Sequence, residues 1–253
     1  MCYDIQAMEE AQLRRIRLHG DRKAEEEAIE RLVPKTDLPL FHVSGFSHPE
    51  LLIYTDEDPY FPSVATWGLI PHWVKDEAGA KKIWNNTLNA RGETLFEKPS
   101  FRYAAEHNRC LIYINGFYEH HHFNNTTYPF YIFRKNGQPM ILAGLWSSWN
   151  NEDGRQIKSF SIVTTKGNPM MARIHNNPKL EGPRMPLILT EELADRWLLP
   201  ISDELDQKMI QELIIAFPED ELDFRTVSKL RGKEYRGNVE SVSDQVVYED
   251  LEF

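Results

Sequence analysis

Short apolar and β-branched runs recur through the middle of the chain, at a spacing typical of strands. They predict strands at 40–43, 51–54, 110–114, 128–133, 140–146, 160–165 and 184–189. The turn-forming segment 135–138, which reads Lys-Asn-Gly-Gln, separates two of these runs and predicts a hairpin joining 128–133 to 140–146. Short strands and turns are also predicted between 224 and 248.

The regions before and after these runs carry helical patterns. Residues 5–32 are charged with a broken apolar stripe, which predicts a packed helix with a solvated face, interrupted near 19–21. Thr190 opens another predicted helix that ends near Pro200, and Ser202 caps one more. No repeat, low-complexity tract or linker divides the sequence. We therefore expect a single domain over residues 1–253, with 236–253 as its C-terminal extension.

Composition changes this picture little. The chain has 253 residues, 41% of them hydrophobic. No apolar run approaches the roughly 18 residues of a membrane span, and charges from Asp4 onward leave no apolar centre for a signal peptide. Two cysteines are too few for a disulfide framework. We therefore expect a cytoplasmic protein in a reducing compartment, with no membrane partner.

The charge distribution bears on possible partners. A net charge of -10 argues against non-specific coating of nucleic acid. The acidic residues concentrate in 9–30, in 191–223 and in the C-terminal tail, whereas several arginines lie between these regions: Arg91, Arg102, Arg109, Arg173 and Arg184. This separation is compatible with one basic cleft on an acidic body.

Cys2 is the first candidate for chemistry. Removal of Met1 would leave an amine and a thiol on one residue, with pKa values of about 7.7–8.0 and about 8.5 in unperturbed groups. Such a 1,2-aminothiol captures an aldehyde as a Schiff base, which the thiol then closes to a thiazolidine ring. The alternative is that cysteine at position two is incidental. Cys110 lies in an apolar run and is expected to be a packed core thiol.

Two further segments could contact nucleic acid. Trp67 and Trp73 lie around a Gly-Leu-Ile-Pro segment and could stack on bases, or simply be core aromatic residues at a strand end. Asn89 and Arg91 lie in a polar segment between apolar ones. The asparagine could orient a substrate and the arginine could hold a phosphate, although an ordinary loop with a salt bridge fits the same pattern.

Carboxylate and imidazole groups are the remaining candidates. Glu119 follows Phe117 and Tyr118 at a predicted strand end, where partial desolvation would suit it to proton transfer. The histidines at 120–122 are interpreted as turn residues rather than metal ligands, because no second metal-like cluster accompanies them. We therefore predict neither a metal nor a cofactor. His175 is a lone histidine, structural or catalytic on this pattern alone.

Several blocks in a fixed order carry a family resemblance. After Cys2 they are Trp67-Gly68-Leu69-Ile70-Pro71 with Trp73, Asn89-Ala90-Arg91-Gly92-Glu93-Thr94, Arg109-Cys110-Leu111, Gly116-Phe117-Tyr118-Glu119, Gly144-Leu145-Trp146, Thr164-Thr165 with Asn168, Ile174-His175 and Arg184-Met185-Pro186. This set resembles the SRAP family (SOS response-associated peptidase domain), whose members crosslink to abasic sites in single-stranded DNA. The sequence departs from the family pattern at Tyr3-Asp4, where Gly-Arg is common, at His120, where tryptophan is common, and in the longer interval between His175 and Arg184.

The resemblance implies an α+β fold, with a curved, barrel-like antiparallel sheet flanked by helices. It implies that Cys2 captures the aldehyde of an abasic site, assisted by Asn89, Glu119 and His175 as catalytic residues. It further implies that DNA is bound by Arg91, Trp67, Trp73, Thr164, Thr165 and Arg184. The expected partner is abasic single-stranded DNA and the expected state is a monomer, within a DNA damage response that includes the SOS response.

Three functions remain in competition. The first is abasic-site capture, with peptidase-like removal of Met1 and a possible lyase activity. The second is a cysteine peptidase that uses Cys2 and His175, for which the sequence offers neither a substrate groove nor an oxyanion hole. The third is non-covalent reading of single-stranded DNA by tryptophans and arginines.

Overall fold

A closed ring of strands forms the centre of the molecule. The computed structural model describes residues 2–178 and 181–253, so Met1 lies outside the described residues. The ring contains β3 (Glu50–Thr55), β4 (Ser63–Trp67), β6 (Arg109–Ile114), β9 (Met140–Asn150) and β10 (Gln156–Lys166). Neighbouring strands pair antiparallel from β4 through β3, β6 and β9 to β10, and a parallel β10–β4 pairing closes the ring. The predicted barrel-like sheet is confirmed, although this closing pair is parallel.

Three short strands extend the barrel and bring distant residues to its edge. They are β5 (Asn89–Arg91), β11 (Arg184–Pro186) and β12 (Ile188–Leu189). β5 runs parallel to β10, β11 runs antiparallel to it, and β12 pairs with β9. Arg91 is therefore in register with Thr164, and Arg184 lies opposite Lys166.

An open sheet packs against the barrel. Its strands, in spatial order, are β13 (Leu222–Thr226), β8 (Thr126–Arg134), β7 (Gly116–Phe123), β1 (Asp4–Ala7) and β2 (Leu40–Ser44). One apolar core includes Ile5 and Phe117 from this sheet and Ile112 and Phe160 from the barrel. Because β1 is hydrogen-bonded on both edges, the segment that follows Cys2 is held inside the sheet.

The helix predicted for 5–32 is partly wrong. Its first residues form β1, which is buried throughout and pairs with two strands, so sheet pairing overrides the helical pattern there. Helix formation starts later, with α1 (Glu9–Gln12), α2 (Arg14–His19) and α3 (Arg22–Arg31). The predicted interruption is confirmed, since Asp21 caps α3 by accepting a hydrogen bond from Ala24 N at 2.8 Å.

The remaining helices lie around the barrel and the open sheet. They are α4 (Glu77–Trp84), α5 (Arg102–His107), α6 (Pro169–Ile174), α7 (Glu191–Trp197) and α8 (Glu204–Glu212). Thr190 caps α7 as predicted, by accepting from Leu193 N at 3.3 Å. Asp203 caps α8 in place of the predicted Ser202, because its carboxylate accepts from the N–H groups of Leu205 and Asp206.

The predicted hairpin between 128–133 and 140–146 is wrong. β8 pairs with β7 and β13, whereas β9 pairs within the barrel. The hairpin is β7–β8, and its turn residues Asn124 and Asn125 both adopt positive φ, at 47° and 60°. Asparagine tolerates this left-handed conformation well. The histidines at 120–122 are consequently strand residues and not a turn, and Glu119 lies inside β7 rather than beyond a strand end.

The C-terminal segment 236–253 packs against the open sheet. Asn238 accepts hydrogen bonds from the N–H groups of Phe41 and His42 and donates to Pro39 O at 2.9 Å. Near the end of the segment, Asp250 accepts a hydrogen bond from the Tyr128 hydroxyl at 2.6 Å. No helix in the described part of the chain has the length and apolarity needed to cross a membrane.

Arg109 is a buried structural cation rather than part of an open basic cleft. Its guanidinium donates to the carbonyls of Trp197 at 2.8 Å, Ala105 at 2.6 Å and Glu106 at 3.1 Å, and also to that of Leu199. Burial lowers its pKa. The side chain thus joins β6 to α5 and to the end of α7.

We expect Arg109→Met to lower the free energy of unfolding by about 3–5 kcal/mol, because it leaves several buried carbonyls without a donor. Urea denaturation measures this change. Arg102→Met, on the exposed side of α5, is the matched control and should stay within about 0.5 kcal/mol. A loss below about 1 kcal/mol for Arg109→Met would contradict the structural role.

Candidate active site

Cys2 lies two residues before β1, and its side chain is enclosed by the protein. Its side chain is 1% exposed, and Asn89 Nδ2 donates to its carbonyl oxygen at 2.8 Å. Burial raises the pKa of the Cys2 thiol, and the nearby negative charge of Glu119 raises it further. The thiol is therefore protonated at neutral pH. Cys110 is also a free, buried thiol and belongs to the core, as predicted.

Asn89 lies on β5, and only one end of its side-chain amide has a hydrogen-bond partner among the described residues. While its Nδ2 holds Cys2, its Oδ1 is buried and has no hydrogen-bond partner among the described residues. A buried acceptor without a partner is costly and requires an explanation. This oxygen is available to accept a hydrogen bond next to the backbone of Cys2.

Glu119 and His175 form a buried acid–base pair. His175 Nδ1 lies 3.4 Å from Glu119 Oε2 and 3.2 Å from the backbone nitrogen of Arg184. Glu119 Oε1 accepts from the N–H of His120 at 3.0 Å. Burial lowers the pKa of His175, and the charge of Glu119 opposes this shift only in part. A carboxylate and an imidazole at this separation can exchange protons with a bound reactant.

Helix α6 sets the position of His175, which is the residue that follows it. Asn168 caps this helix by accepting from Met171 N at 2.8 Å, and its Nδ2 donates to Phe217 O at 2.9 Å. Glu119 comes from β7, which pairs with β1. The structure thus brings together four predicted site residues that are far apart in sequence: Cys2, Asn89, Glu119 and His175.

The negative charge of Asp4, two residues after Cys2, is neutralised by nearby partners. Asp4 Oδ1 lies 3.2 Å from His42 Nε2, and Arg231 Nη2 donates to Asp4 Oδ2 at 3.0 Å. Burial opposes ionisation of Asp4, but these partners outweigh it and lower its pKa. The departure from the family pattern at this position therefore adds an ion pair rather than an isolated negative charge.

Both of the predicted DNA-binding arginines are paired with carboxylates. Arg91 Nη1 donates to Glu181 Oε2 at 2.8 Å; the arginine side chain is about half-exposed and the glutamate side chain is largely exposed. Arg184 contacts both oxygens of Glu93, at 2.8 and 2.9 Å, and also donates to Thr164 O at 2.8 Å. Arg91 remains the more accessible of the two.

Three of the predicted DNA contacts are corrected by the structure. Trp67 has no exposed surface: its Nε1 donates to Leu88 O at 2.8 Å and its ring stacks on Phe160, so it is a core residue and not a stacking platform. Thr164 and Thr165 are buried in β10, so neither can contact DNA directly. Thr164 instead supports Arg184, through its carbonyl and its hydroxyl.

Trp73 is half-exposed, and its Nε1 donates to Pro99 O at 3.2 Å. It lines a groove with Val74, Lys82 and Ile83, whereas Glu119 and His175 line a different pocket. A base stacked on Trp73 would therefore lie away from the acid–base pair.

An aromatic pair beside Cys2 was not predicted from the sequence. The rings of Tyr3 and Phe46 have their centroids 4.9 Å apart, and Phe46 is 49% exposed. Burial raises the pKa of the Tyr3 hydroxyl, Glu119 raises it further and Arg91 opposes the shift, so Tyr3 lies among the site residues. The position of Tyr3 next to Cys2 was a usable signal, whereas nothing local to Phe46 indicated its placement.

An open pocket of about 370 Å³ gives access to the acid–base pair. Tyr3, Glu119 and His175 contribute to its lining, and so do residues 229–231. The fold and the site therefore define a class of protein in which a cysteine near the chain start lies beside a carboxylate–imidazole pair, on an α+β barrel.

The chain belongs to the SRAP family: residues 5–233 match the family described as SOS response associated peptidase (SRAP). Abasic site processing protein YoqW of Bacillus subtilis is 39% identical over 165 residues, covering 65% of this chain and 68% of its own length. Abasic site processing protein YedK of Escherichia coli is 28% identical over 216 residues, covering 81% and 86%. A solved structure from Bacteroides thetaiotaomicron superposes with a TM-score of 0.82 at 29% identity, covering 97% of this chain and 100% of that one.

Proposed function

We propose that this chain processes abasic sites in DNA, and that it does so by covalent capture at Cys2 once Met1 has been removed. The α-amine of Cys2 attacks the aldehyde carbon of the ring-opened deoxyribose, and loss of water gives a Schiff base. The thiol then adds to the imine carbon, its proton passes to the nitrogen, and a thiazolidine ring closes. The ring protects the strand, because an open imine would hydrolyse or permit β-elimination.

One observation carries the proposal: Asn89 holds the backbone of Cys2 beside the buried Glu119–His175 pair. The capture requires a group that supplies protons to departing water and a group that accepts the thiol proton. Because the Cys2 thiol is protonated in its buried position, a neighbouring base is needed, and Glu119 is close enough to influence its pKa. The family and the printed names of the relatives support abasic sites as the substrate.

In this proposal each neighbour has a separate task. Glu119 carries protons between the amine, the departing water and the thiol. His175 acts on the ring oxygen or hydroxyl of the sugar, with the neutral imidazole favoured by its lowered pKa. The free Oδ1 of Asn89 accepts a hydrogen bond from the amine of Cys2 or from a sugar hydroxyl. We further propose that the substrate strand is single, that the protein acts as a cytoplasmic monomer on DNA, and that Met1 removal is autoproteolytic.

The test is to mix the protein with a single-stranded oligonucleotide that carries one abasic site. Intact mass first establishes whether Met1 has been removed, and a denaturing gel then shows whether a covalent adduct forms. A stable adduct whose mass equals protein plus oligonucleotide minus one water supports capture. Cleavage of an unrelated peptide without an adduct would favour a cysteine peptidase, and reversible, salt-sensitive binding alone would favour a non-covalent DNA reader.

Arg91→Ala should weaken binding of single-stranded DNA and reduce the slope of log affinity against log salt by about 0.7, the contribution of one phosphate contact. Fluorescence anisotropy over a salt series measures both quantities. Arg22→Ala is the matched control, because Arg22 is also an exposed arginine paired with a glutamate, Glu26, at 2.8 Å. An unchanged slope for Arg91→Ala would mean that Arg91 contacts no phosphate.

A further inference from the structure

The pocket that exposes Glu119 and His175 is also lined by the short segment 229–231. Leu230 anchors this segment, since it is buried in one apolar cluster with Tyr118 and Val242. Lys229 and Arg231 flank this anchor, and both line the pocket. Two cations from the C-terminal part of the chain are therefore fixed beside the acid–base pair.

Arg231 is oriented by a chain of buried polar contacts. Its Nη2 donates to Asp4 Oδ2 at 3.0 Å, while His42 lies 3.2 Å from the other oxygen of Asp4. Nδ1 of His42 lies 2.7 Å from the hydroxyl of Tyr235. Asp4 is buried, whereas the Arg231 side chain is 62% exposed. The carboxylate thus holds one corner of the guanidinium and leaves the rest at the pocket surface.

The exposed part of this guanidinium retains hydrogen-bonding capacity. An arginine carries five N–H donors in a planar fork. Among the described residues, only Asp4 accepts a hydrogen bond from Arg231. A planar fork fixed at one corner matches two oxygens of a phosphate group.

Lys229 contributes positive charge to the pocket, but it does not offer the planar set of N–H donors that Arg231 offers. Its Nζ donates to Thr127 O at 2.5 Å and lies 4.6 Å from the ring centre of Tyr128 and 5.0 Å from that of Tyr248. The ammonium is held in place and raises the local positive potential at the pocket. Arg231 is therefore the residue that can bind an anion directly.

We infer that Arg231 forms a phosphodiester-binding subsite at this pocket, supported by the charge of Lys229. The inference rests on the proposed function, because the phosphodiester belongs to the strand whose abasic sugar faces Glu119 and His175. An abasic nucleotide presents no base, so its position must be set through the flanking backbone. Tyr3 also lines this pocket, whereas Arg91 and Arg184 line a separate one, so Arg231 would hold a different phosphodiester of the strand from those two arginines.

The test compares Arg231→Ala with the matched control Lys233→Ala, which removes the same charge two residues away, at an exposed position outside the pocket lining. The probe is a fluorescein-labelled single strand without an abasic site, and the readout is anisotropy over a salt series. Arg231→Ala should weaken binding about tenfold at low salt and reduce the salt slope by about 0.7. Lys233→Ala should change affinity by no more than about twofold. Equal behaviour of the two variants would overturn the inference.

Arg231→Ala also removes a partner of buried Asp4, so thermal unfolding must be measured for each variant. Arg231→Lys keeps the charge and should restore the salt slope, with an affinity between those of wild type and Arg231→Ala. A role limited to neutralising Asp4 predicts a lower melting temperature with an unchanged slope, which would contradict a phosphate contact. If Arg231→Ala does not fold, the double variant Asp4→Asn/Arg231→Ala removes both charges and takes its place, with the same expected loss of slope.

Adduct formation with the abasic oligonucleotide is recorded in parallel on the wild-type protein. Absence of an adduct, together with a normal Arg231 effect on binding of the intact strand, overturns the proposed capture but leaves the phosphate subsite supported. A normal adduct with no Arg231 effect overturns the subsite alone. A failure of the proposed capture and a failure of the proposed phosphodiester subsite would therefore be seen in different measurements.

Discussion

We expect Cys2→Ala to abolish the denaturation-resistant adduct, lowering its yield to the background of the gel. Alanine at position two still permits removal of Met1 and leaves an α-amine, so a Schiff base can form, but no thiol is present to close the ring. The measurement is adduct yield after heating in denaturant, with a mass spectrum that establishes the N-terminal residue. A stable adduct at the wild-type level in Cys2→Ala would exclude thiazolidine formation.

Two companion variants make this result specific. Cys110→Ala is the matched control, because it removes the other buried thiol from strand β6 while leaving the site unchanged. It should retain the adduct. Cys2→Ser keeps an amine beside a poor ring-closing nucleophile, so its imine should be trapped only when borohydride is added. This pattern distinguishes imine formation by the amine from ring closure by the thiol.

Glu119→Gln should slow adduct formation by roughly 10²–10⁴-fold, the usual contribution of a positioned acid–base group. Glutamine preserves the size of the side chain and can still contact the backbone near His120, but it cannot accept or release a proton at neutral pH. The rate is measured in single-turnover experiments with protein in excess over the oligonucleotide. Affinity for an intact strand should remain close to that of the wild type.

The control for this change is Glu30→Gln, on the exposed side of α3, which alters the net charge equally at a site remote in the chain. An unchanged adduct rate in Glu119→Gln would reduce Glu119 to a structural residue. A rate that falls only because the protein no longer folds would be revealed by its thermal unfolding curve.

The site shows where tertiary contacts correct a sequence interpretation. The indole side chain of Trp67 is suited to stacking on bases. It nevertheless lies in the core, because β4 pairs with β3 and β10 and turns the indole inward. Arg91 and Arg184 were predicted to contact phosphate. In the structure each forms an ion pair with a glutamate about 90 residues away in sequence. Burial and ion pairing are set by neighbours in space, which local patterns do not identify.

The sequence by itself determined the local features of this protein. Apolar runs located most of the strands, Thr190 marked a helix start, and ordered blocks of residues identified the family together with Cys2, Asn89, Glu119 and His175 as candidates. These depend on short-range periodicity and on residue chemistry. Tertiary structure alone decided that β7 pairs with β8, that β1 rather than a helix follows Cys2, and that Arg231 reaches the pocket. Strand partners and charge partners lie far apart in sequence and are selected by burial of a common core, so no local pattern specifies them.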